Sequence, residues 1–303
     1  MAEDILEPDI ISALAPFRRA LRRAGAGLRR DLPWIGLDDP WAIFVSEVML
    51  QQTSTRRVID PWRRFLDAYR TPEACAQAPL ADVLRHWSGL GYPRRAKSLH
   101  EAARVITERF AGAVPSQPEE LLGLPGVGPY TAHAVASFAF DRRVAVLDTN
   151  VGRVLARAVA NRPLRPREAQ VLATALLPRE GVAAFNQSLL DLGAQWCTSA
   201  PRCAPCPLAF TCRWRRDGGD DPAPRSAAVS RPQSAFAGSD RQVRGRIMKA
   251  LSDRPLRTRS LLDVLVNVDS ARVAVLLEDL IMEGLLSRDG DRVCLHGDER
   301  SPH

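Results

Sequence analysis

Along most of the chain the apolar positions recur every three or four residues, the spacing of helices that each bury one face. Residues 9–25 carry this pattern, with Arg18, Arg19, Arg22 and Arg23 on the outer face. The stretch from Trp41 to Leu50 departs from it, because only Ser46 and Glu47 are polar there. A helix apolar all round belongs in a core whichever way it turns. Asp38-Asp39-Pro40 supplies its start, an acid to cap and a proline for the first turn. Further helices are expected over 54–69, where Val58, Trp62, Phe65 and Leu66 keep helical spacing, over 79–87, and from Gly91-Tyr92-Pro93 to about Phe110, with Arg94, Arg95 and Lys97 on the near face. A short helix entered at Pro118 runs into the turn Leu124-Pro125-Gly126-Val127-Gly128, and a second helix reaches Phe140. The extended run Arg143–Leu147 precedes Asp148-Thr149-Asn150 and a helix through Arg153, Leu155 and Val159; helices over about 166–177 and 183–196 follow. No period-two strands interrupt this part, so its fold class is all-α.

The pattern changes after Cys212. Residues 216–240 are rich in Gly, Asp, Pro, Ser and Ala and read as a linker. Helices are then expected at 241–252, 258–267 and 270–284. Two short runs, Leu285–Ser287 and Arg292–Leu295, flank an Asp289-Gly290 turn and read as a hairpin. Three helices and a hairpin make a winged-helix-like unit at 241–297.

Composition narrows the partners. The 303 residues are 46% hydrophobic, enough for a substantial core, and the formal net charge is +7. That balance favours a polyanion, nucleic acid above all. Only Lys97 and Lys249 are lysines among the 42 basic residues; a GC-rich genome favours arginine codons, so the sign of the charge is more informative than the arginine. No N-terminal apolar run resembles a signal peptide and none approaches the length of a membrane span. A soluble, cytoplasmic, nucleoid-associated protein without membrane contact is expected, so the six cysteines do not suggest disulfides. Cys75 and Cys294 read as ordinary thiols. Cys197, Cys203, Cys206 and Cys212 have the spacing C-x5-C-x2-C-x5-C, four thiolates that form a metal site. Either zinc or a four-iron, four-sulfur cluster fits that donor set.

Three further features carry chemistry. Glu47 shares a helix face with Ile43, Phe44, Leu50 and Gln51. Burial there disfavours the carboxylate and allows a proton to be held near neutral pH, as a general acid requires; a glutamate paired with an arginine is the competing reading. The two glycines of Leu124-Pro125-Gly126-Val127-Gly128 free backbone N–H groups at a helix start, which suits a phosphate. Helix–hairpin–helix elements of this kind grip the DNA backbone without reading sequence. Asp148 stands where a helix cap belongs, and also where a fixed carboxylate could face a developing cation; the adjacent N–H groups are expected to keep it ionised.

Taken together, Leu32-Pro33-Trp34, Ser46–Thr53, Gly89-Leu90-Gly91-Tyr92, Leu124–Gly128, Leu147–Val151 and the four cysteines resemble the helix–hairpin–helix DNA glycosylases of the endonuclease III superfamily. Within that superfamily the match is to the adenine DNA glycosylases of actinobacterial type. The resemblance covers roughly residues 12–215. It implies a two-lobed helical core over 1–215, with a six-helix lobe at about 38–147 and a cluster lobe made of the N-terminal helix and 148–215, the active site lying between them. It implies a monofunctional, monomeric enzyme that removes adenine mispaired with 8-oxoguanine or guanine from double-stranded DNA and leaves an abasic site.

Family roles follow on the matching positions. Glu47 matches the acid that protonates adenine and Asp148 the carboxylate that stabilises the sugar cation, with Tyr130 and Asn150 as supporting residues. Gln51, Gln52 and Tyr92 match residues inserted into or beside the DNA stack. Leu124, Gly126, Val127 and Gly128 form the phosphate hairpin, and the four cysteines hold a [4Fe-4S] cluster, with zinc as the alternative. Two departures stand out: Ile35 replaces the arginine usual after Pro-Trp, and the first cysteine loop is one residue short. The unit at 241–297 also stands in place of the family's larger C-terminal domain. A G:T or G:U mismatch glycosylase and a non-enzymatic metal-cluster DNA-binding regulator are the competing functions. A lyase of the endonuclease III type would need a lysine at position 130, which is tyrosine.

Overall fold

The structure is a computed structural model and describes residues 5–229, 235–265 and 267–298. In chain order its helices are α1 (Pro8–Leu28), α2 (Pro40–Leu50), α3 (Thr55–Ala68), α4 (Pro72–Gln77), α5 (Leu80–His86), α6 (Arg94–Phe110), α7 (Pro118–Leu122), α8 (Pro129–Phe140), α9 (Thr149–Val154), α10 (Pro166–Leu176), α11 (Val182–Gln195), α12 (Arg213–Asp217), α13 (Asp240–Asp253), α14 (Thr258–Val264) and α15 (Ser270–Met282). The strands are β1 (Leu256–Arg257), β2 (Leu286–Asp289) and β3 (Arg292–Leu295). Prolines open α1, α2, α4, α7, α8 and α10, because a first helical turn has no use for the missing N–H and the fixed φ suits it. Residues 230–234 of the stretch read as a linker, and position 266 of the helix read over 258–267, lie outside the described residues.

The chain divides into two compact units. One holds the described residues of 1–40, 116–122 and 128–232; the other holds those of 41–115, 123–127 and 233–303. In the first unit Ile10, Phe17 and Leu21 of α1 share a core with Val151 and Val154 of α9, Leu172 of α10 and Phe185 and Leu189 of α11. Leu155–Ala160 continues α9 as a fully buried turn of wider π-helix. Arg18 does not lie on a merely solvated face. It donates to the carbonyls of Ala175 and Leu176 at 2.6 and 2.8 Å and so satisfies the open end of α10. Part of the stretch read as a linker packs back onto this unit. The Ala227 N–H donates to Leu164 at 2.8 Å, the Ser226 hydroxyl accepts from the Leu164 N–H, and Thr149 donates to the Ala228 carbonyl.

In the second unit α2 lies at the centre. Every residue from Trp41 to Met49 is buried, and the Trp62 indole donates to the Ala42 carbonyl at 2.9 Å. The C-terminal helices and strands belong to this same unit. Their sheet has the order β1-β3-β2, antiparallel throughout, with Leu286 opposite Leu295 and Asp289 opposite Arg292. The expected hairpin is therefore present, and β1 adds a short third strand through Leu256 opposite Val293. Arg85, Arg94 and Lys97 fasten this segment to α5 and α6. Arg85 donates to Asp82, the Ser252 carbonyl and Asp298, each at 3.0 Å or less. Glu283 accepts from Arg94 at 2.6 Å and from Arg244, while Lys97 donates to the Glu283 carbonyl at 2.7 Å. Among the described residues no helix is long and apolar enough to cross a membrane.

Candidate active site

In the second unit Glu47 is 5% exposed and sits between Ser46 and Val48, which are also buried. The Ser46 hydroxyl turns back to the Ile43 carbonyl at 2.8 Å, so it spends its donor inside its own helix. The far end of α2 is held by Arg95 of α6. One guanidinium nitrogen donates to the carbonyls of Val48 and Met49 at 3.0 and 2.8 Å. The other donates to the Thr53 hydroxyl at 3.0 Å and to the carbonyls of Leu90 and Gly91 at 3.3 and 3.1 Å. A cation suits the negative end of a helix. Burial nonetheless pushes the Arg95 pKa down to about 10, which leaves it charged at neutral pH. One side chain thus ties the end of the Glu47 helix to the Gly89–Tyr92 loop.

Gln52 and Tyr92 follow these two tethered segments, and both have left-handed backbones, at φ 55° and 49°. Non-glycine residues adopt that region at a cost and keep it where the surroundings over-determine it. The Gly89–Tyr92 loop meets that condition: Arg57 donates to the Gly89 carbonyl at 2.5 Å, and the Trp87 indole joins Arg95 on Gly91 at 3.1 Å. Gln51 donates to the Gly126 carbonyl at 3.2 Å, which joins the end of α2 to the glycine turn with Leu124 and Val127. Gly126 has φ 74°, and a Cβ there would lie 2.5 Å from the Ser98 Cβ. The fold itself therefore demands that glycine.

In the first unit Gly128 precedes α8 with an ordinary extended backbone, and a Cβ on it would meet nothing within 4 Å. Tyr130, in the first turn of α8, packs against the core. Asp148 caps α9: it accepts from the Val151 N–H at 2.8 Å and from the Asn150 side chain at 2.6 Å. Burial raises its pKa in spite of these two donors. Desolvation thus acts against the hydrogen bonds that favour the Asp148 anion. Arg153 continues the chain of contacts, donating to the Asn150 side-chain amide oxygen at 2.7 Å and to the Cys197 backbone carbonyl at 2.7 Å. Arg157 is 1% exposed. It donates to the Cys197 sulfur at 3.4 Å and to the Thr198 carbonyl at 2.6 Å, and it forms a two-pronged pair with Asp221 at 2.8 and 2.7 Å.

The four cysteines line one cavity together with Arg157, Leu208, Trp214 and Arg215. Among the described residues no three donor side chains converge closely enough to hold a single metal ion. Four thiolates at one cavity are the donor set that either tetrahedral zinc or an iron–sulfur cluster takes. Burial raises the pKa of the Cys197, Cys206 and Cys212 thiols, opposed at Cys197 by Arg157. Arg95, Arg153, Arg157 and Asp221 were not singled out for these roles in the sequence, where charged residues on helices and loops look like solvated ones.

Comparison with known proteins agrees with this arrangement. Residues 45–179 match the HhH-GPD superfamily of base excision DNA repair proteins. Over 282 residues the chain is 48% identical to an adenine DNA glycosylase of Mycobacterium tuberculosis, covering 89% of this chain and 90% of that protein. It is 44% identical to the adenine DNA glycosylase of Mycolicibacterium smegmatis, covering 89% of this chain and 92% of that one. Among solved structures, a thermostable thymine-DNA glycosylase aligns with a TM-score of 0.62 at 28% identity, over 68% of this chain and 98% of its own. A trapped endonuclease III–DNA covalent intermediate aligns at 0.59 and 25% identity, over 67% and 97%. The chain therefore belongs to the adenine DNA glycosylase family, within the HhH-GPD superfamily of base excision DNA repair proteins.

Proposed function

We propose that this glycosylase acts on duplex DNA in which adenine faces 8-oxoguanine or guanine, with Glu47 as general acid and Asp148 as the carboxylate that stabilises the sugar. Adenine leaves poorly as an anion, so a proton must reach the base as the glycosidic bond breaks. Water then adds to the sugar carbon, giving free adenine and an abasic site. The observation that carries the reading is the burial of Glu47, 5% exposed within a helix whose neighbouring residues are all buried. A carboxyl kept from water favours its protonated form. Asp148, held by the Val151 N–H and the Asn150 amide, supplies negative charge as positive charge grows on the sugar, with Tyr130 and Asn150 assigned supporting roles.

The base must leave the stack to be reached. Gln51, Gln52 and Tyr92 are assigned to the gap and its neighbours; the left-handed backbones at Gln52 and Tyr92 support this, because strain of this kind persists at functional positions. Leu124, Gly126, Val127 and Gly128 are assigned to the DNA backbone, and the open space at Gly128 supports close approach. Cys197, Cys203, Cys206 and Cys212 are assigned to a [4Fe-4S] cluster, for which the shared cavity and thiolate donor set are suited. When bound, the cluster would bond all four thiolates and so fix the Cys197–Cys212 loop that carries Arg202. The enzyme is assigned to act as a monomer in the cytoplasm, at the nucleoid.

The test is single-turnover release of adenine from A:8-oxoG, A:G, G:T and G:U duplexes. General acid catalysis contributes roughly 10²–10⁴-fold. Glu47→Gln should lower the rate on A:8-oxoG by at least the lower figure, with duplex affinity nearly unchanged. A folded, iron-loaded Glu47→Gln protein that excises at the wild-type rate would show that Glu47 is only a buried structural acid.

A further inference from the structure

We propose that Arg241 is a positioning residue for Tyr92, and that through it the C-terminal segment sets how strongly the base opposite adenine is discriminated. This rests on the assignment of Tyr92 to the opposing base made above. Arg241 lies 149 residues from Tyr92 in sequence and donates to its hydroxyl at 2.6 Å. The guanidinium carbon stands 5.6 Å from the centre of the Tyr92 ring and 5.3 Å from that of Phe236. Such a short contact to the oxygen, at that distance from the ring centre, puts the cation at the hydroxyl end of the phenol. The face of the ring is not what the hydrogen bond occupies.

Local structure does not account for an arginine at this place. Arg241 is the second residue of α13, where the helix dipole presents positive charge and a cation is disfavoured. The adjacent Asp240 does not neutralise it, because its carboxylate is taken by Arg272 at 2.6 Å. Ser239 already caps the helix through the Gln242 N–H. Helix capping is therefore not what Arg241 supplies; it reaches the Tyr92 hydroxyl.

Tyr92 in turn needs an outside support. The backbone of its loop is anchored by Arg57, Trp87 and Arg95, all on Gly89, Leu90 and Gly91 carbonyls. Those bonds fix where the Tyr92 Cα stands and leave the torsion of its ring undetermined. Arg95 lies over the same ring at 5.5 Å, but both of its terminal nitrogens are engaged by carbonyls and by Thr53. The hydroxyl contact to Arg241 is what fixes the far end of the ring. A ring that must lie flat beside one base gains discrimination when it is held in place before the DNA arrives.

The test uses full-length, iron-loaded protein and the ratio of single-turnover rates on A:8-oxoG and A:G duplexes. Arg241→Leu and Tyr92→Phe, which remove the two ends of the same bond, should each lower that ratio by about tenfold, the scale of one hydrogen bond to a charged group. The double variant should be no worse than either single one. Arg241→Lys, which can still donate to the hydroxyl, should recover part of the ratio. An unchanged ratio in Arg241→Leu would overturn the proposal, as would losses that multiply in the double variant. Equal slowing on both duplexes with a lower melting temperature would also overturn it, by assigning Arg241 a merely structural role. Tyr92→Ala separates the two layers. If it leaves the ratio at the wild-type value, the assignment of Tyr92 fails; if it lowers the ratio while Arg241→Leu does not, only the role of Arg241 fails.

Discussion

At Asp148 a helix cap and a partly buried carboxylate compete in one side chain. The Val151 N–H and the Asn150 amide favour the anion, but burial raises the pKa above the ordinary carboxylate value. The folded state therefore keeps this proton over a pH window in which the unfolded chain has released it. Within that window the unfolded state binds fewer protons, so stability falls as pH rises through the folded pKa. Below the unfolded value, about pH 4, no such penalty exists. Asparagine caps a helix as well as aspartate does. Asp148→Asn should therefore melt at a higher temperature than wild type near pH 7, with the gain shrinking toward about pH 4, even as excision is lost. Melting curves of the two proteins across that range check this; a variant less stable at every pH would mean that the ionised carboxylate supports the fold. The two glycines of the hairpin make a second contrast at the same scale. Gly126→Ala forces a side chain into a left-handed backbone and against Ser98, and should cost at least about 1–2 kcal/mol. Gly128→Ala meets nothing within 4 Å and should cost less, about 0.5–1 kcal/mol for alanine in place of glycine at a helix N-cap, while weakening duplex binding. Denaturant midpoints and affinities measured on both variants would separate a fold glycine from a binding glycine.

Among the elements, α2 and α6 carry the arrangement around Glu47, and Arg95 is their joint. Lysine cannot reproduce a fork that serves two helix-end carbonyls with one nitrogen and a loop with the other. Arg95→Lys should lower stability by about 2 kcal/mol, the scale of losing charged hydrogen bonds to buried groups. It should also slow single-turnover excision at least tenfold, because the end of α2 is no longer tied to the Gly89–Tyr92 loop. Wild-type rates in that variant would sink the idea that this joint holds Glu47 in place. How far such elements are legible in sequence depends on what specifies them. Proline starts and continuous apolar stretches are local, and they place α2, α7 and α8 to within a residue or two, with Glu47 buried as expected. The start of α6 is less local: Gly91 and Tyr92 are held outside the helix by positive φ, and it begins only at Arg94. Helix α4 has Thr71 as a cap, accepting from the Ala74 N–H, and Pro72 as its first residue, a start signal followed by only six residues, too few to show a periodicity. Strand β1 is two residues long and owes its existence to β3 rather than to any pattern of its own. Arg95, Arg157 and Arg241 were illegible for a different reason. A long charged side chain on a helix looks the same whether it meets water or a distant carbonyl, and the partner lies tens of residues away or more.

For the molecule as a whole, the segment after Cys212 has two parts with different attachments. Asp221–Ala228 packs on the unit that holds Asp148 and the cysteines, while residues from Phe236 onward pack in the unit that holds Glu47 and Tyr92. Truncation should therefore have two distinct consequences according to where it falls. A chain ending at Val229 keeps the Arg157–Asp221 pair, the Ser226 contact with Leu164 and the Thr149 contact with Ala228. It loses Arg241, Glu283 and Asp298, and with them the partners of Tyr92, Arg94 and Arg85. It should keep its iron and release adenine, but with less discrimination between opposing bases and lower stability in the unit around α2. A chain ending at Arg216 also loses Asp221. Arg157, almost fully buried, would then keep its charge without that carboxylate. Breaking a buried ion pair by removing one partner costs roughly 3–5 kcal/mol, and since Asp221 is partly exposed the lower end applies. Because Arg157 also contacts the Cys197 sulfur, the damage should fall on the cysteine loop, seen as a lower iron content per chain in the shorter protein than in the longer one. Asp221→Asn in the full-length protein should reproduce part of that iron loss without changing the choice of opposing base. If both truncations retain equal iron and differ only in activity, Asp221 does not support the cysteine loop, and the second attachment would be packing without consequence for the cluster.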